Sequence, residues 1–590
     1  MLTSILKLIS FEPSCSTRKT APFVCQSKPV KMGVLDSVRT KPITAWSIIL
    51  GIVVLAALLR LFMLSSQSLW LDEGASLAMT DSGTVKGTLD ALWSITGGDK
   101  YQVVYFLVLS TWRSWVGDSQ FYLQSLSVVP GILTPVFIYL AVKILFGARH
   151  AVIAAVFVTC SAFCISFSQE VRPYAYLICI ASLHLLAMTP ALKDSEPLNI
   201  HRWLFALVTF LATLSSVFLV VFISALALAH LFTFRQLRSW FRWWYPSVLL
   251  SVPALIYYWS TPARTSLSVD AINNTGSPIW ENMIYALYSH LAGQTYGPAV
   301  NALRETDNVR ALLVEHAFSL GILALLAFAL VWYVFQALRK SVEQNLNGIR
   351  VRFFISLFVF SFALATGFAI LTSINWMPRH SFYLIVPISV LVSVAVAQSV
   401  QIGFEKRTSI TDRLPMLIYP LLLTVNLYSS YQYFFQPEHL LDDYRSAANY
   451  LSENVKEEDS SLMLWGEPYL LSYYGDSRTK SVWRLENPNL IMGEIDEASL
   501  MSANVYIVIN RESTWERYSN VLLGQLNQTY KLVPKAQFTN FTIYGLETNS
   551  TTLATNARDV QSIQDIQDVE DIQDIQDVQD VQDIQDIQDI

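Results

Sequence analysis

Charge is scarce in this sequence: Asp, Glu, Lys and Arg make up 15% of its 590 residues, where a soluble globular chain carries about a quarter. That shortage excludes an ordinary water-soluble domain, which needs a charged shell over a surface of this size. Histidine is also thin, with eight residues in no cluster, so nothing demands a structural zinc. Five cysteines are present, Cys15, Cys25, Cys160, Cys164 and Cys179, and none falls in the polar C-terminal region, which excludes a disulfide framework there. Cys160 and Cys164 share a helix face, but no His or carboxylate lies on that stretch, so they read as buried packing rather than as a ligand pair. The net charge of −6 gives no basic footprint, and no nucleic-acid partner is expected. No apolar run near the N-terminus is long enough for a cleaved secretory signal.

What is abundant is apolar surface. Hydrophobic residues are 53% and aromatics 13% of the chain, with a mean hydropathy of +0.39, which makes a bilayer its natural solvent. Residues 1–43 form a basic arm carrying Lys7, Arg18, Lys19, Lys28, Lys31, Arg39 and Lys41 against Glu12 and Asp36, expected in the cytoplasm. Met32-Gly33 is an alternative start. Residues 45–64 are the first membrane-length stretch, since about 20 apolar residues cross a core of about 30 Å. Further spans are expected near 124–146, 150–168, 174–190, 202–216, 217–234, 244–260, 311–336, 352–373, 380–402 and 413–432.

Charge tests that scheme, because cytoplasmic connections collect Lys and Arg. Alternate connections hold Lys143 and Arg149; Lys193 and Arg202; Arg235, Arg238 and Arg242; Arg339, Lys340, Arg350 and Arg352; and Lys406, Arg407 and Arg413. The opposite connections are poor in cations. Tyr101–Val116 is apolar but short, and counting it as a span would put Lys143 and Arg149 outside. It therefore reads as an interfacial helix with Trp112 and Trp115 at headgroup level. The pair within 202–234 is tight, with its reversal at Ser215 and Ser216.

The expected fold is thus an all-α polytopic membrane bundle of about eleven helices over 44–433, plus interfacial helices, with a small extracytoplasmic α/β domain over 437–548. In that domain strands are expected at Ser461–Trp465, Val505–Asn510 and Phe541–Leu546, and helices at Tyr444–Glu453 and Thr514–Gln528. Glycosylation sequons begin at Asn273, Asn527, Asn540 and Asn549, all on the outward side of the scheme. Residues 549–590 are expected to be a disordered acidic tail, in which Asp559–Ile590 repeats triplets such as Ile-Gln-Asp and Val-Gln-Asp, whose period of three fits no packed helix.

Three short segments gather chemistry at one membrane face. Ser68-Leu69-Trp70-Leu71-Asp72-Glu73-Gly74 follows the first span; its paired carboxylates suit a base or a metal ligand, or Asp72 simply caps a helix. Phe167–Tyr174 places Glu170 and Arg172 between two apolar runs, either facing a polar cavity or joined in a local ion pair. Asn375–His380 presents Arg379, which binds a ligand or snorkels to headgroups. Arg60, near the outer end of the first span, has the same two readings. Acids and arginines collected on one face suit a lipid-linked phosphate substrate: arginines clamp the phosphate and a carboxylate takes a proton from an attacking hydroxyl.

SLWLDEGAS (68–76), SQEVRPYAYL (168–177) and PRHSFYLIVP (378–387), in that order, resemble the C-type glycosyltransferases, in particular the dolichyl-phosphate-mannose-protein mannosyltransferase-like group that includes the aminoarabinose transferases. DSQFYLQSLSVVPGILTPVFIYLAVKILFGARHA resembles its linking stretch, and DDYRSAANYLSENV (442–455) the start of its outer domain, with Tyr444 where Trp is more usual. The likeness covers most of residues 50–480. One departure is that Asp99-Lys100-Tyr101-Gln102-Val103-Val104-Tyr105 stands where many members have a Pro-Pro run.

The resemblance implies a transferase moving a sugar from a polyprenyl- or dolichyl-phosphate carrier to a lipid, polysaccharide or protein acceptor on the non-cytoplasmic face, with inversion. It makes Asp72 the catalytic base, with Glu73 beside it and Glu170 a second acid in the cavity. Arg172 and Arg379, with Tyr174 and Arg60, line the donor site. No cofactor is required, and a divalent metal at Asp72 and Glu73 is left open. A multi-pass protein of a bacterial inner or plasma membrane is preferred to one of the endoplasmic reticulum. The competing readings are a transporter or flippase, which would carry midmembrane charges and internal repeats, and a catalytically degenerate transferase-like scaffold.

Overall fold

The computed structural model describes residues 42–95, 98–193, 198–260, 279–299, 302–303, 309–341, 345–372, 376–405, 416–456, 458–464, 466–475, 479–482 and 530–548, with 493, 495–496, 498–499, 502, 504–510 and 526 between them. The chain divides into two units, Met1–Ser47 and Ile48–Ile590. Of the first, only residues 42–47 are described, as the opening of helix α1 (Pro42–Leu61), which starts on a proline as first helical positions favour. The basic arm up to residue 41, the helix expected at Thr514–Gln528 except Leu526, the sequons at Asn273, Asn527 and Asn549, and the triplet tail lie outside the described residues.

After α1 come α2 (Leu71–Met79), α3 (Val85–Ser94) and α4 (Val103–Val116). The membrane series continues with α5 (Gln120–Phe146), α6 (Ala148–Cys160), α7 (Ala162–Phe167), α8 (Tyr174–Met188), α9 (Asn199–Ser215), α10 (Val217–Phe234), α11 (Leu237–Ser260) and α12 (Ile279–Ala292). It ends with α13 (Val309–Glu315), α14 (Ala317–Ser341), α15 (Asn345–Thr372), α16 (Ile385–Glu405) and α17 (Ile418–Phe435).

Among the described residues six stretches are long and apolar enough to cross a membrane: Gln120–Phe146, Tyr174–Leu192, Val217–Phe234, Ala317–Arg339, Asn347–Thr372 and Pro378–Ile402. These coincide with six of the eleven expected spans. The other five expected spans are not among these six. Helix α1 runs 20 residues, Pro42–Leu61, over the first expected span, and α9 has 17 residues. The expected span 150–168 is broken at Ser161, where the chain leaves the helix and Ser161 Oγ caps α7 through Cys164 N–H. Helix α11 contains Pro246 and Pro253 and opens on Arg238 and Arg242, while α17 buries the polar Asn426, Ser429, Ser430 and Gln432. Between α9 and α10, where a reversal is expected, the helix is broken at Ser216, whose backbone is extended. The short apolar stretch is α4, which buries Tyr105, Phe106, Leu109 and Arg113 against the protein and leaves Trp115 exposed. Pro378–Ile402 runs through the interior, whereas Ala317–Arg339 presents most of its surface outward, as a lipid-facing helix does.

The C-terminal domain opens with α18 (Tyr444–Asn454) and holds α19 (Pro468–Tyr474). Its five strands are β1 (Ser460–Leu464), β2 (Thr479–Val482), β3 (Val505–Asn510), β4 (Tyr530–Phe538) and β5 (Phe541–Thr548), in the order β2-β1-β3-β5-β4. β1 lies parallel to β2 and β3, whereas β5 is antiparallel to β3 and β4. The three expected strands are present, with β2 and β4 added at the edges. The sequon residue Asn540 sits in the β4–β5 turn at φ +63°, and its amide donates to buried Asp442 Oδ1 at 2.9 Å. One sheet face packs Leu462, Ile507, Ile509 and Tyr530 together. From the other face, Met463, Val508, Phe541 and Ile543 join Tyr444, Leu451, Leu470 and Leu471 in a core that runs on into Leu69, Leu77, Leu92, Phe106, Leu123 and Val171. The C-terminal domain and the loop after α1 therefore share one hydrophobic core, which fixes where α2 stands.

Candidate active site

Helix α2 starts at Leu71, so Asp72 and Glu73 occupy its first turn, where the helix dipole favours negative charge. Asp72 is not the cap that a local reading allows. Its carboxylate leaves the helix and accepts from Arg379 Nη1 at 2.6 Å. Glu73 is buried, and its two oxygens tie the segment down: Oε2 accepts from Trp70 N–H at 3.1 Å and Oε1 from Val171 N–H at 2.5 Å. One side chain thus holds α2 against the loop that carries Glu170 and Arg172.

In that loop Arg172 does not pair with Glu170. Its guanidinium grips Asp99 by two bonds, Nη2 to Oδ1 at 3.1 Å and Nη1 to Oδ2 at 3.2 Å, and Nη1 also donates to Asp72 O and Ser76 Oγ at 3.0 Å. Tyr174 lies beneath it, 5.7 Å from guanidinium to ring centre. A forked arginine–carboxylate pair of this kind is both strong and directional. Glu170 is buried, and its Oε2 has no hydrogen-bond partner.

Arg379 is delivered by the 3-10 turn Pro378–Leu384 at the entry to α16. The turn is held by Trp376, wholly buried, and by His380, which stacks on Phe218 at 4.8 Å and accepts from Met377 N–H through Nδ1. The Arg379 side chain is 27% exposed where that of Arg172 is 6% exposed. Of the two arginines, Arg379 is therefore the one an arriving anion can reach.

Arg60 stands apart. It is fully buried, and its guanidinium donates to the carbonyls of Ala56, Val158 and Thr159, next to the break between α6 and α7. It neither snorkels nor joins the acidic group; it satisfies carbonyls at the end of α6 that the break leaves without helical partners.

The electrostatics follow from burial. Burial pushes the Glu73 carboxyl up to about 8, against the pull of its two N–H partners and of Arg172. Burial, reinforced by Glu73 and Asp72, raises Glu170 well above the ordinary carboxyl range. Among the described residues no group of three His, Cys, Asp or Glu side chains is placed to hold a metal ion.

Two partners of the site were not singled out by sequence reasoning. Asp99 stood out only as part of a departure from a family pattern, 73 residues from Arg172 in the chain. Gly74 is the point at which α19 reaches α2: a Cβ there would lie 2.4 Å from Glu467 Cγ and 2.6 Å from Leu470 Cγ. The C-terminal domain adds further ties to the same loop and to the start of α5. Tyr444 N–H donates to Ser68 Oγ, Leu69 N–H to Tyr474 Oη, and Arg445 Nη2 to Ser65 O and Gln120 Oε1.

Residues 102–261, which include Glu170, Arg172 and Tyr174, match the family described as Dolichyl-phosphate-mannose-protein mannosyltransferase. No curated protein matches the chain. Among solved structures, ArnT from Cupriavidus metallidurans bound to undecaprenyl phosphate aligns with TM-score 0.50 at 11% identity, over 85% of this chain and 98% of that one. Its apo state aligns with TM-score 0.51 at 11% identity, over 86% and 98%. The Archaeoglobus fulgidus oligosaccharyltransferase in complex with Zn and sulfate aligns with TM-score 0.47 at 11% identity, over 86% and 73%. By sequence over residues 102–261, and by fold over most of its length, this membrane chain is similar to the C-type glycosyltransferases.

Proposed function

We propose that the chain is a glycosyltransferase that moves a hexosyl or pentosyl group from a polyprenyl- or dolichyl-phosphate carrier to a hydroxyl acceptor on a lipid, polysaccharide or protein. The reaction takes place on the non-cytoplasmic face of a membrane crossed about eleven times, a bacterial inner or plasma membrane in preference to the endoplasmic reticulum. The observation that carries the reading is the contact of Asp72 with Arg379 at 2.6 Å, which brings a base and a phosphate-binding cation to one point. The structure of ArnT bound to undecaprenyl phosphate, a protein of similar fold, supports a lipid-phosphate ligand for this architecture.

In the proposed step the acceptor oxygen bonds to the anomeric carbon while the bond from that carbon to the carrier phosphate breaks, inverting the centre. Asp72 takes the acceptor proton. The electron pair leaves on the phosphate, which the planar fork of Arg379 stabilises. Phosphate is already a good leaving group, so no protonated acid is needed on that side, in contrast to the carboxyl pair of a glycosidase. Glu73 and Arg172 act here as positioning residues, Glu73 through Trp70 and Val171 and Arg172 through Asp99 and the backbone of Asp72.

The test is transfer from a radiolabelled polyprenyl-phosphate sugar in membranes holding the wild type or Asp72→Asn at equal expression. The variant is expected to release no sugar to acceptor. Undiminished transfer removes Asp72 from the mechanism and the proposal with it.

A further inference from the structure

Between α2 and α4 lies a helix that the proposed reaction does not use. The chain turns through Gly83, at φ +61°, and Thr84 Oγ1 caps α3 by accepting from Gly87 N–H at 3.1 Å. Helix α3 buries Thr88 and Leu92 against the protein. On its open side Val85, Leu89 and Trp93 are 53%, 41% and 67% exposed. A spacing of four stacks them along one face. Lys86, Asp90 and Ser94 are also exposed, each one residue on and so about 100° further round the helix. The free side of α3 is therefore split lengthwise into an apolar stripe ending in tryptophan and a parallel polar stripe.

The apolar stripe continues onto a surface that lipid covers. The Trp93 ring lies 6.3 Å from that of Tyr257, near the end of α11, and Tyr257 Oη donates to Lys100 O at 3.0 Å. Along α11 the outward side chains are Val248, Leu249, Val252, Leu255 and Ile256, and they end in Trp259, which is 90% exposed. A row of that length and composition in a membrane protein faces acyl chains, with tryptophan at the level of the headgroups.

We infer that α3 is a lipid-binding element, seated in the headgroup and acyl boundary of the leaflet on the side of Asp72, with Val85, Leu89 and Trp93 in lipid and Lys86, Asp90 and Ser94 in water. The split face is the pattern of a helix lying in an interface plane, and three large apolar side chains side by side are not left open to water without a partner. The consequence for the site is positional. Asp99 lies five residues beyond the end of α3 and holds Arg172, so an anchored α3 keeps that segment at the leaflet surface.

The test is spin labelling of the full chain, carrying Cys15→Ser and Cys25→Ser, in nanodiscs of phosphatidylcholine and phosphatidylglycerol. Single cysteines replace Val85, Leu89, Trp93, Lys86, Asp90 or Ser94, and collision with oxygen is compared with collision with a water-soluble nickel chelate. Positions 85, 89 and 93 are expected to favour oxygen several-fold and positions 86, 90 and 94 the chelate. Six positions equally open to the chelate overturn the inference. So does closure of 85, 89 and 93 to both reagents, which assigns the stripe to a protein partner. Neither result depends on sugar transfer, so the inference and the proposed function fail separately.

Discussion

Arg379 and Asp72 are 307 residues apart in the chain and 2.6 Å apart in space, joined by one hydrogen bond between Nη1 and Oδ2. Both side chains are about one-quarter exposed, 27% and 22%, so the pair sits at an opening rather than in the core. An ion pair at that position can exchange one partner for an incoming phosphate, which a sealed pair cannot do without leaving a buried charge alone.

Arg379→Ala is expected to lower sugar transfer by about 100-fold or more, the usual cost of removing one preorganised donor from a developing anion. Arg379→Lys should recover only part of it, because an ammonium has no planar fork. Initial rates at saturating acceptor check this, and a wild-type rate in Arg379→Ala removes Arg379 from the donor site.

Asp99→Ala leaves the buried Arg172 guanidinium without its forked partner. The expected loss is about 3–5 kcal/mol of stability, as for other broken buried pairs, read as a lower unfolding midpoint in detergent. An unchanged midpoint contradicts the positioning role given to Arg172.

Stability should fall as pH rises from about 5 to about 8. Burial pushes Glu73 up to about 8 and Glu467 up to about 7, and it raises Glu170 well above the ordinary range. Each carboxyl therefore keeps a proton in the folded state that the unfolded chain releases near its ordinary value of 4.5. More protons bound in the folded state means stability that is full below that value and is lost as pH climbs through the folded values. Unfolding midpoints at pH 5.5 and 8.5 check the sign, and the difference should shrink in Glu73→Gln.

Gly74→Ala drives a Cβ into Glu467 and Leu470 of the C-terminal domain. Overpacking of this kind costs about 1–3 kcal/mol, and the domain should be clipped faster by protease at the seam. Leu470→Ala in the same chain should restore part of the loss by making room. Additive losses in the double variant speak against a contact at this seam.

Sidedness has its own measurement. Ser195→Cys and Thr275→Cys are expected on opposite faces of the membrane, the first cytoplasmic and the second outside. An impermeant maleimide applied to sealed vesicles should label only one. Equal labelling from one side overturns the alternation of basic connections.

Much of the membrane architecture is legible without coordinates, because crossing a bilayer imposes a length and an apolarity that a local window records. The limits of that window show in the same region. Ser161 ends α6 because Ala162 N–H finds Asn426 Oδ1, 264 residues away, as an alternative partner, and no periodicity reports a partner so distant. Asn540 illustrates the same point in the C-terminal domain. Its sequon marks a modification site by composition, yet its amide is bound to Asp442 in the fold.

By itself the sequence determined the apolar segments, the alternation of basic connections along the chain, a mixed α/β region near the C-terminus and the three short segments in which Asp72, Glu73, Glu170, Arg172 and Arg379 stand. Only the tertiary structure decided their partners: Arg172 took Asp99 instead of its neighbour Glu170, Asp72 took Arg379 instead of capping α2, and Arg60 turned inward to the carbonyls of α6. The reason is physical. Hydropathy and helix periodicity are set by neighbours along the chain, whereas a buried charge is stable only beside whatever opposite charge or carbonyl the packed bundle brings to it.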